Sequence, residues 1–267
     1  MKSVATIGLE DVTAVYDGAE GDLWELVMGQ QIHIGGFKAS MDLAERAGIA
    51  AGQSGVDLCC CNGAGMRFLV RFRGVAAMTG VDATKTVVSR GRSRCEREGL
   101  SNQVRFVIGD ACHSGLPDSE ADFVWGEDAW CYVVDKPRLI SEAVRIVRPG
   151  GTIAFTDWVE GPAGLDDAEA ARFMRFMKFP NVEDIGGYRN LLEKSGCEVL
   201  ASEDTGRFAP HMDLYLQMFD MQLTYDALSI LDFNLEAAGA LTGEMEFIRD
   251  MAHAGKVAQG RFIARRP

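Results

Sequence analysis

The run Gly55-Val56-Asp57-Leu58-Cys59-Cys60-Cys61-Asn62-Gly63-Ala64-Gly65 leaves a short apolar stretch and enters a cluster of small residues, just ahead of a helical pattern that opens near Met66. A loop between the carboxyl end of a strand and the amino end of a helix lets backbone N–H groups approach a ligand closely, as in the nucleotide crevices of α/β sheets. About 25 residues later, Val75 to Asp82 reads as a second buried strand ending in an acid. A carboxylate at the end of strand two accepts ribose hydroxyls in nucleotide-binding folds, so Asp82, followed by Ala83, is the candidate ribose ligand. A third strand, Val104 to Ala111, closes on Gly109-Asp110-Ala111. A fourth, Ala121 to Trp125, leads into Gly126-Glu127-Asp128-Ala129-Trp130, and Arg148-Pro149-Gly150-Gly151 turns into the strand Thr152 to Trp158.

Helical patterns separate these strands at Thr84 to Glu98, Lys136 to Val147 and Val182 to Lys194, and a final antiparallel strand is expected at Gly260 to Arg265. Alternating β and α units imply a mostly parallel sheet with helices on both faces. Ahead of the sheet, Tyr16-Asp17 precedes an amphipathic stretch from Gly21 to Met28, then the Gly-flanked loop Gly29 to Gly36 and a helix near Lys38 to Ala47. Two helical insertions follow the fifth strand, at Asp166 to Lys178 and from about Pro210 to His253. The first carries Phe173, Met174, Phe176 and Met177 and the second is rich in Met, Leu and acids, which points to core, a cap or a homodimer contact.

The Gly55–Gly65 run resembles motif I of the class I S-adenosylmethionine-dependent methyltransferases, whose usual form is Asp-Leu-Gly-Cys-Gly-x-Gly. Asp57, Leu58, Cys60, Asn62 and Gly63 fall in place, while Cys59 and Cys61 stand where the family has glycine. A Cβ there penalises positive φ and crowds a ligand lying on the backbone. The segments Ala121 to Trp130 and Arg148 to Trp158 match motifs II and III of that family in order and spacing. The resemblance implies S-adenosyl-L-methionine as cofactor, held by Asp57, Cys59, Cys61, Gly63, Asp82, Ala83, Asp110, Ala111 and Glu127, with Asp110 at the adenine amino group.

Tyr16-Asp17, Trp24 and Gly29-Gln30-Gln31-Ile32-His33-Ile34-Gly35 resemble the lid of the sarcosine and dimethylglycine N-methyltransferase group, and Trp125 to Trp130 resembles its strand-four segment. The likeness covers about residues 14 to 205 and again Gly260 to Arg265. It implies a doubly wound, seven-stranded, mostly parallel sheet of the Rossmann-like methyltransferase fold. The single domain, residues 1–267, then divides into a lid over 1–50, a cofactor-binding core over 51–160, and cap insertions with the last part of the sheet over 161–267.

Methyl transfer from a sulfonium is an in-line displacement, so placement and exclusion of water supply much of the acceleration and no protein nucleophile is needed. His33, on the Gly-rich lid, is the first candidate for a polar group at the reacting centre, with Tyr16. Related enzymes often carry His just after strand four, where this chain has Trp130-Cys131-Tyr132, leaving Tyr132 as the substitute. Trp24, Trp130, Tyr188 and His211 are candidate acceptor contacts, since ring faces attract a sulfonium or a methylated ammonium. An amine nitrogen is the expected acceptor, with sarcosine or dimethylglycine tried first. Oxygen-, carbon- or sulfur-directed transfer, or donor binding without catalysis, are the alternatives.

With 27 Lys and Arg against 39 Asp and Glu, the 267-residue chain carries a formal charge of −12. That argues against nucleic-acid partners and favours a small neutral or cationic acceptor. No apolar run approaches the roughly 20 residues of a membrane span, so a cytoplasmic protein with no membrane partner is expected. The seven cysteines form neither a disulfide framework nor a spaced zinc pattern. Neighbours on a strand point to opposite faces, so Cys59, Cys60 and Cys61 are expected to be reduced, packed thiols, and no metal is expected.

Overall fold

In a computed structural model of the chain, which describes residues 2–3 and 6–267, the strands expected from the sequence join one large sheet. The strands are β1 (Lys2–Ser3), β2 (Ser54–Leu58), β3 (Ala77–Asp82), β4 (Val104–Ile108), β5 (Ala121–Glu127), β6 (Val147–Glu160), β7 (Asn181–Val182), β8 (Glu198–Asp204) and β9 (Val257–Arg265). The seven-stranded sheet has the order β4-β3-β2-β5-β6-β9-β8. Pairings from β4 across to β6 are parallel, and β9 runs antiparallel to both β6 and β8. The two short strands β1 and β7 pair separately.

Alternation along each strand sorts the side chains into two layers. On β5, Phe123 and Trp125 face the helices Gly36–Arg46, Ala64–Arg73 and Lys85–Glu98, packing with Leu43, Met66, Leu69 and Val88. Val124 points the other way, with Val56, Ile153 and Phe155, against Leu139, Ile140 and Ala143 of the helix Lys136–Ile146 and Tyr188 and Leu192 of Ile185–Lys194. A sheet apolar on both faces needs helices on both, which the alternating connections provide.

Strand order reverses beside β2. The chain steps outward from β2 through β3 to β4, then crosses back to place β5 on the other flank of β2. Such a switch point leaves a crevice at the carboxyl ends of the strands. The helix Leu9–Asp17 and the loop residues 30–33, which follow the helix Ala19–Met28, cover that end.

Some boundaries differ from the sequence reading. The second insertion divides into Phe208–Met221, Thr224–Ile230 and Leu235–His253, and with Asp167–Met177 it builds a third apolar cluster around Phe173, Phe179, Met212 and Ile248. The strand β8 was not anticipated. It lies on an edge with a mostly exposed or half-exposed pattern, so it lacks the apolar run that marks a central strand. No helix among the described residues is long and apolar enough to cross a membrane.

Candidate active site

At the crevice lies a cavity of about 270 Å³, walled by the ends of β2, β3, β4 and β5 and by the N-terminal segment. The loop after β2 forms its floor, and its backbone explains the departure from glycine. Cys59 has φ 64° and Cys61 φ 48°, so both cysteines adopt the left-handed conformation that glycine would take there without a steric penalty. Cys60, buried between them, turns its thiol behind the loop toward β3. Gly80 leaves the room, since a Cβ at that residue would lie 2.4 Å from Cys60 Sγ. Burial pushes all three thiols upward, so they stay protonated. All seven cysteines are free.

Acids line the wall. Asp82 Oδ2 accepts from Cys61 N–H at 2.8 Å and its Oδ1 from Thr84 N–H at 2.9 Å, which ties the end of β3 to the loop. Burial raises its carboxyl, with the two backbone donors opposing. Asp57 is 5% exposed, and its carboxylate accepts no hydrogen bond from any described residue. Burial first, then the neighbouring charges of Glu127 and Asp82, hold its carboxyl well above the usual range. Asp110 bonds Cys112 N–H at 2.8 Å and pairs with His113 at 3.1 Å; these contacts outweigh desolvation and keep it below its ordinary value. Gly65 opens space between these groups, because a Cβ there would lie 2.8 Å from Glu127 Oε2.

The cover reaches this wall through a buried polar network. Ser40 Oγ donates to Glu127 Oε1 at 2.6 Å and accepts from Gln31 Nε2 at 2.9 Å. His33, 2% exposed, has Nδ1 at 3.2 Å from Ile34 O and Nε2 at 3.0 Å from Ser40 Oγ, so both ring nitrogens are engaged. Ile34 N–H donates to Asp128 Oδ2 at 2.8 Å, and Gln259 Nε2 from β9 bonds the same carboxylate at 2.8 Å. Beside them, Tyr16 Oη donates to Tyr132 Oη at 3.1 Å, with the rings edge to face. Burial lifts both phenols well above their ordinary value, so both remain neutral donors.

Of the residues singled out from sequence, Tyr16, His33, Asp57, Cys59, Cys61, Asp82, Ala83, Asp110, Ala111, Glu127 and Tyr132 line this one cavity. Gly63 lies just behind it, at φ 71°, as the cap of Ala64–Arg73. Four expected acceptor contacts are placed elsewhere. Trp24 packs with Phe176 in the third cluster; Trp130 stacks on Phe155 at 4.0 Å and donates to Leu58 O. Tyr188 is fully buried on Asp157, and His211 bonds Arg207 O at 2.8 Å with its ring beside Gly35. In each case an aromatic ring found a core or helix partner, and nothing local in sequence separates that from a cavity wall. Ser40, Arg67 and Gln259 gave no sequence signal, because their partners Glu127, Gln30 and Asp128 lie on distant elements.

Residues 56–155 match the methyltransferase domain family. The chain is 29% identical over 192 residues to methyltransferase GfsG of Streptomyces halstedii, covering 70% of this chain and 68% of that one. It spans a little under half of a rice tocopherol O-methyltransferase, an Arabidopsis thaliana phosphoethanolamine N-methyltransferase and a sterol 24-C-methyltransferase of Eremothecium gossypii. Among solved structures, a candidate sarcosine dimethylglycine methyltransferase from Galdieria sulphuraria superposes with a TM-score of 0.80 at 20% identity, covering 93% of this chain and 98% of that one. A Haemonchus contortus phosphoethanolamine N-methyltransferase 2, in complex with phosphomonomethylethanolamine and S-adenosylhomocysteine, superposes at 0.83 and 19% identity, covering 95% of this chain and 58% of that one.

The residues present fit an S-adenosylmethionine donor. Asp57 has a carboxylate with no hydrogen-bond partner among the described residues, which would suit an α-ammonium, Asp82 stands at the end of β3 where ribose hydroxyls are read, and Gly65 leaves space that any side chain would fill. The donor supplies an electrophilic methyl group on a sulfonium. Residues 56–155 thus carry a methyltransferase domain, in a chain that has the fold of the solved methyltransferases it superposes on.

Proposed function

We propose that this enzyme methylates a small molecule at an amine nitrogen. The supporting observation is the sign of the cavity wall. Asp57, Asp82, Asp110, Glu127, Asp128 and Asp135 line it, and none of the described lining residues is Lys or Arg. Attack by nitrogen moves positive charge from the sulfonium to the acceptor, and carboxylates stabilise that charge in a desolvated site. An acceptor bearing a phosphate finds no cationic side chain in this wall.

The roles divide by position. Tyr16 and Tyr132 offer neutral hydroxyls that orient the acceptor, and their mutual bond fixes the direction of approach. His33, with both nitrogens engaged, holds Ser40 and Glu127 in place rather than taking a proton from the acceptor. Burial under the N-terminal helices excludes water.

A mass-spectrometric screen with deuteromethyl donor tests this reading. Sarcosine, dimethylglycine and unphosphorylated amines form one arm, and phosphoethanolamine, phenols, sterols and thiols the others. The expected label is on nitrogen of an unphosphorylated amine. Transfer only to hydroxyl, carbon or thiol acceptors would overturn the nitrogen assignment and leave the enzyme class intact.

A further inference from the structure

The donor loop and the cover meet at one buried guanidinium. Arg67, near the start of Ala64–Arg73, is 4% exposed. Its Nη1 donates to the backbone oxygen of Asn62 at 2.7 Å and its Nη2 to Gln30 Oε1 at 2.6 Å, while Nε faces Glu98 Oε1 at 3.0 Å. Asn62, 1% exposed, adds a second tie: its Nδ2 donates to Gln30 O at 3.1 Å and its Oδ1 accepts from Ala64 N–H at 3.1 Å. Gln30 thus fastens to the loop through both its backbone and its side chain, and it belongs to the segment that walls the cavity.

A guanidinium held out of water is costly unless every direction of its fork is used, and here each is aimed at a different element. None of the guanidinium's hydrogen bonds is to the backbone of its own helix. The loop needs this residue. Asn62 follows Cys61, whose left-handed backbone is unfavourable for a side chain, so an external grip on the next carbonyl keeps the turn in shape.

We propose that Arg67 is a positioning residue that couples donor binding to closure of the N-terminal cover, acting through Asn62 and Gln30. A donor seated on Cys59–Asn62 steadies the Asn62 carbonyl and amide, which hold Gln30 and the segment after it. The closed cover in turn steadies the loop, because coupling between two sites is reciprocal. The proposal rests on the donor site and is independent of the acceptor.

Calorimetry with S-adenosylhomocysteine on Arg67→Met, Gln30→Ala and the double variant tests it, together with amide hydrogen exchange over residues 29–36. Each single substitution is expected to weaken binding about tenfold, the scale of losing a charged hydrogen bond. The double variant should be no weaker than the worse single one, since both cut the same link. In the native protein the ligand should slow exchange at 29–36; in either variant that slowing should be lost, while ligand protection at β2 and β3 persists. Additive losses, or slowing retained at 29–36, would overturn the coupling. If Arg67→Met does not fold, Gln30→Ala, at an exposed position, carries the exchange test alone. A native protein that fails to bind the ligand would instead refute the donor site itself.

Discussion

Replacing each cysteine of the donor loop by glycine should give three results that separate by backbone conformation. A left-handed residue with a Cβ costs roughly 1–2 kcal/mol, and Cys59 and Cys61 both carry it, at φ 64° and 48°. Glycine removes that cost, loses about 0.4–1 kcal/mol through the unfolded chain, and gives up a small amount of thiol burial. The sum for Cys59→Gly or Cys61→Gly lies within about 1 kcal/mol of zero, or about 2–4 °C in Tm for a chain of this size. Cys60 is outside the left-handed region, 6% exposed, and fitted against Gly80. Cys60→Gly therefore gains no relief and loses about 2–3 kcal/mol. Urea unfolding measures the stabilities, and calorimetry with S-adenosylhomocysteine measures the site, where Cys59→Gly and Cys61→Gly should bind as tightly as the native protein or more so. If those two variants lose as much stability as Cys60→Gly, the strain reasoning is wrong.

The phenol pair and one buried acid give further expectations. Tyr16→Phe and Tyr132→Phe should each lower kcat about tenfold with little change in ligand affinity, and the double variant should cost little more than either, because the hydroxyls act as one unit; unchanged kcat in both would remove them from the reaction. Glu142 lies against Arg145 and Ser114, whose hydrogen bonds outweigh its desolvation and bring the carboxyl down to about 2. The folded value lies below the unfolded one of about 4.3, so this contribution is complete above about pH 4.3 and is lost as pH falls toward 2. Allowing for the solvent around Arg145, Glu142→Gln should lose about 1–3 kcal/mol at neutral pH. It should also flatten the acid limb of a stability–pH curve, and an unchanged limb would refute the assignment.

The parts of the site that sequence revealed are those built from strand ends. Asp57, Asp82 and Asp110 each lie within two residues of the carboxyl end of a strand, so the parallel register delivers them to one edge. Cys59 and Cys61 were legible as glycine replacements, and their positive φ follows from the turn they must make. The cover was legible only as a segment. Its fastening depends on Gln259, which meets Asp128 across 131 residues, and on Arg67, which meets Gln30 across 37. No local periodicity encodes such partners. The aromatic candidates misled for a related reason: Trp130 and Tyr188 sit near strand ends yet turn into the layer below, where Phe155 lies close to both rings.

The central claim is that the acids at the carboxyl edge of β2 and β3 hold the methyl donor. Titrating S-adenosylhomocysteine into the native protein and Asp82→Ala by calorimetry tests it most directly. Asp82 accepts from the Cys61 and Thr84 backbones as well as facing the cavity, so its loss should weaken binding by about 1–3 kcal/mol, with the fold retained by circular dichroism. Equal affinity in the two folded proteins would contradict the account.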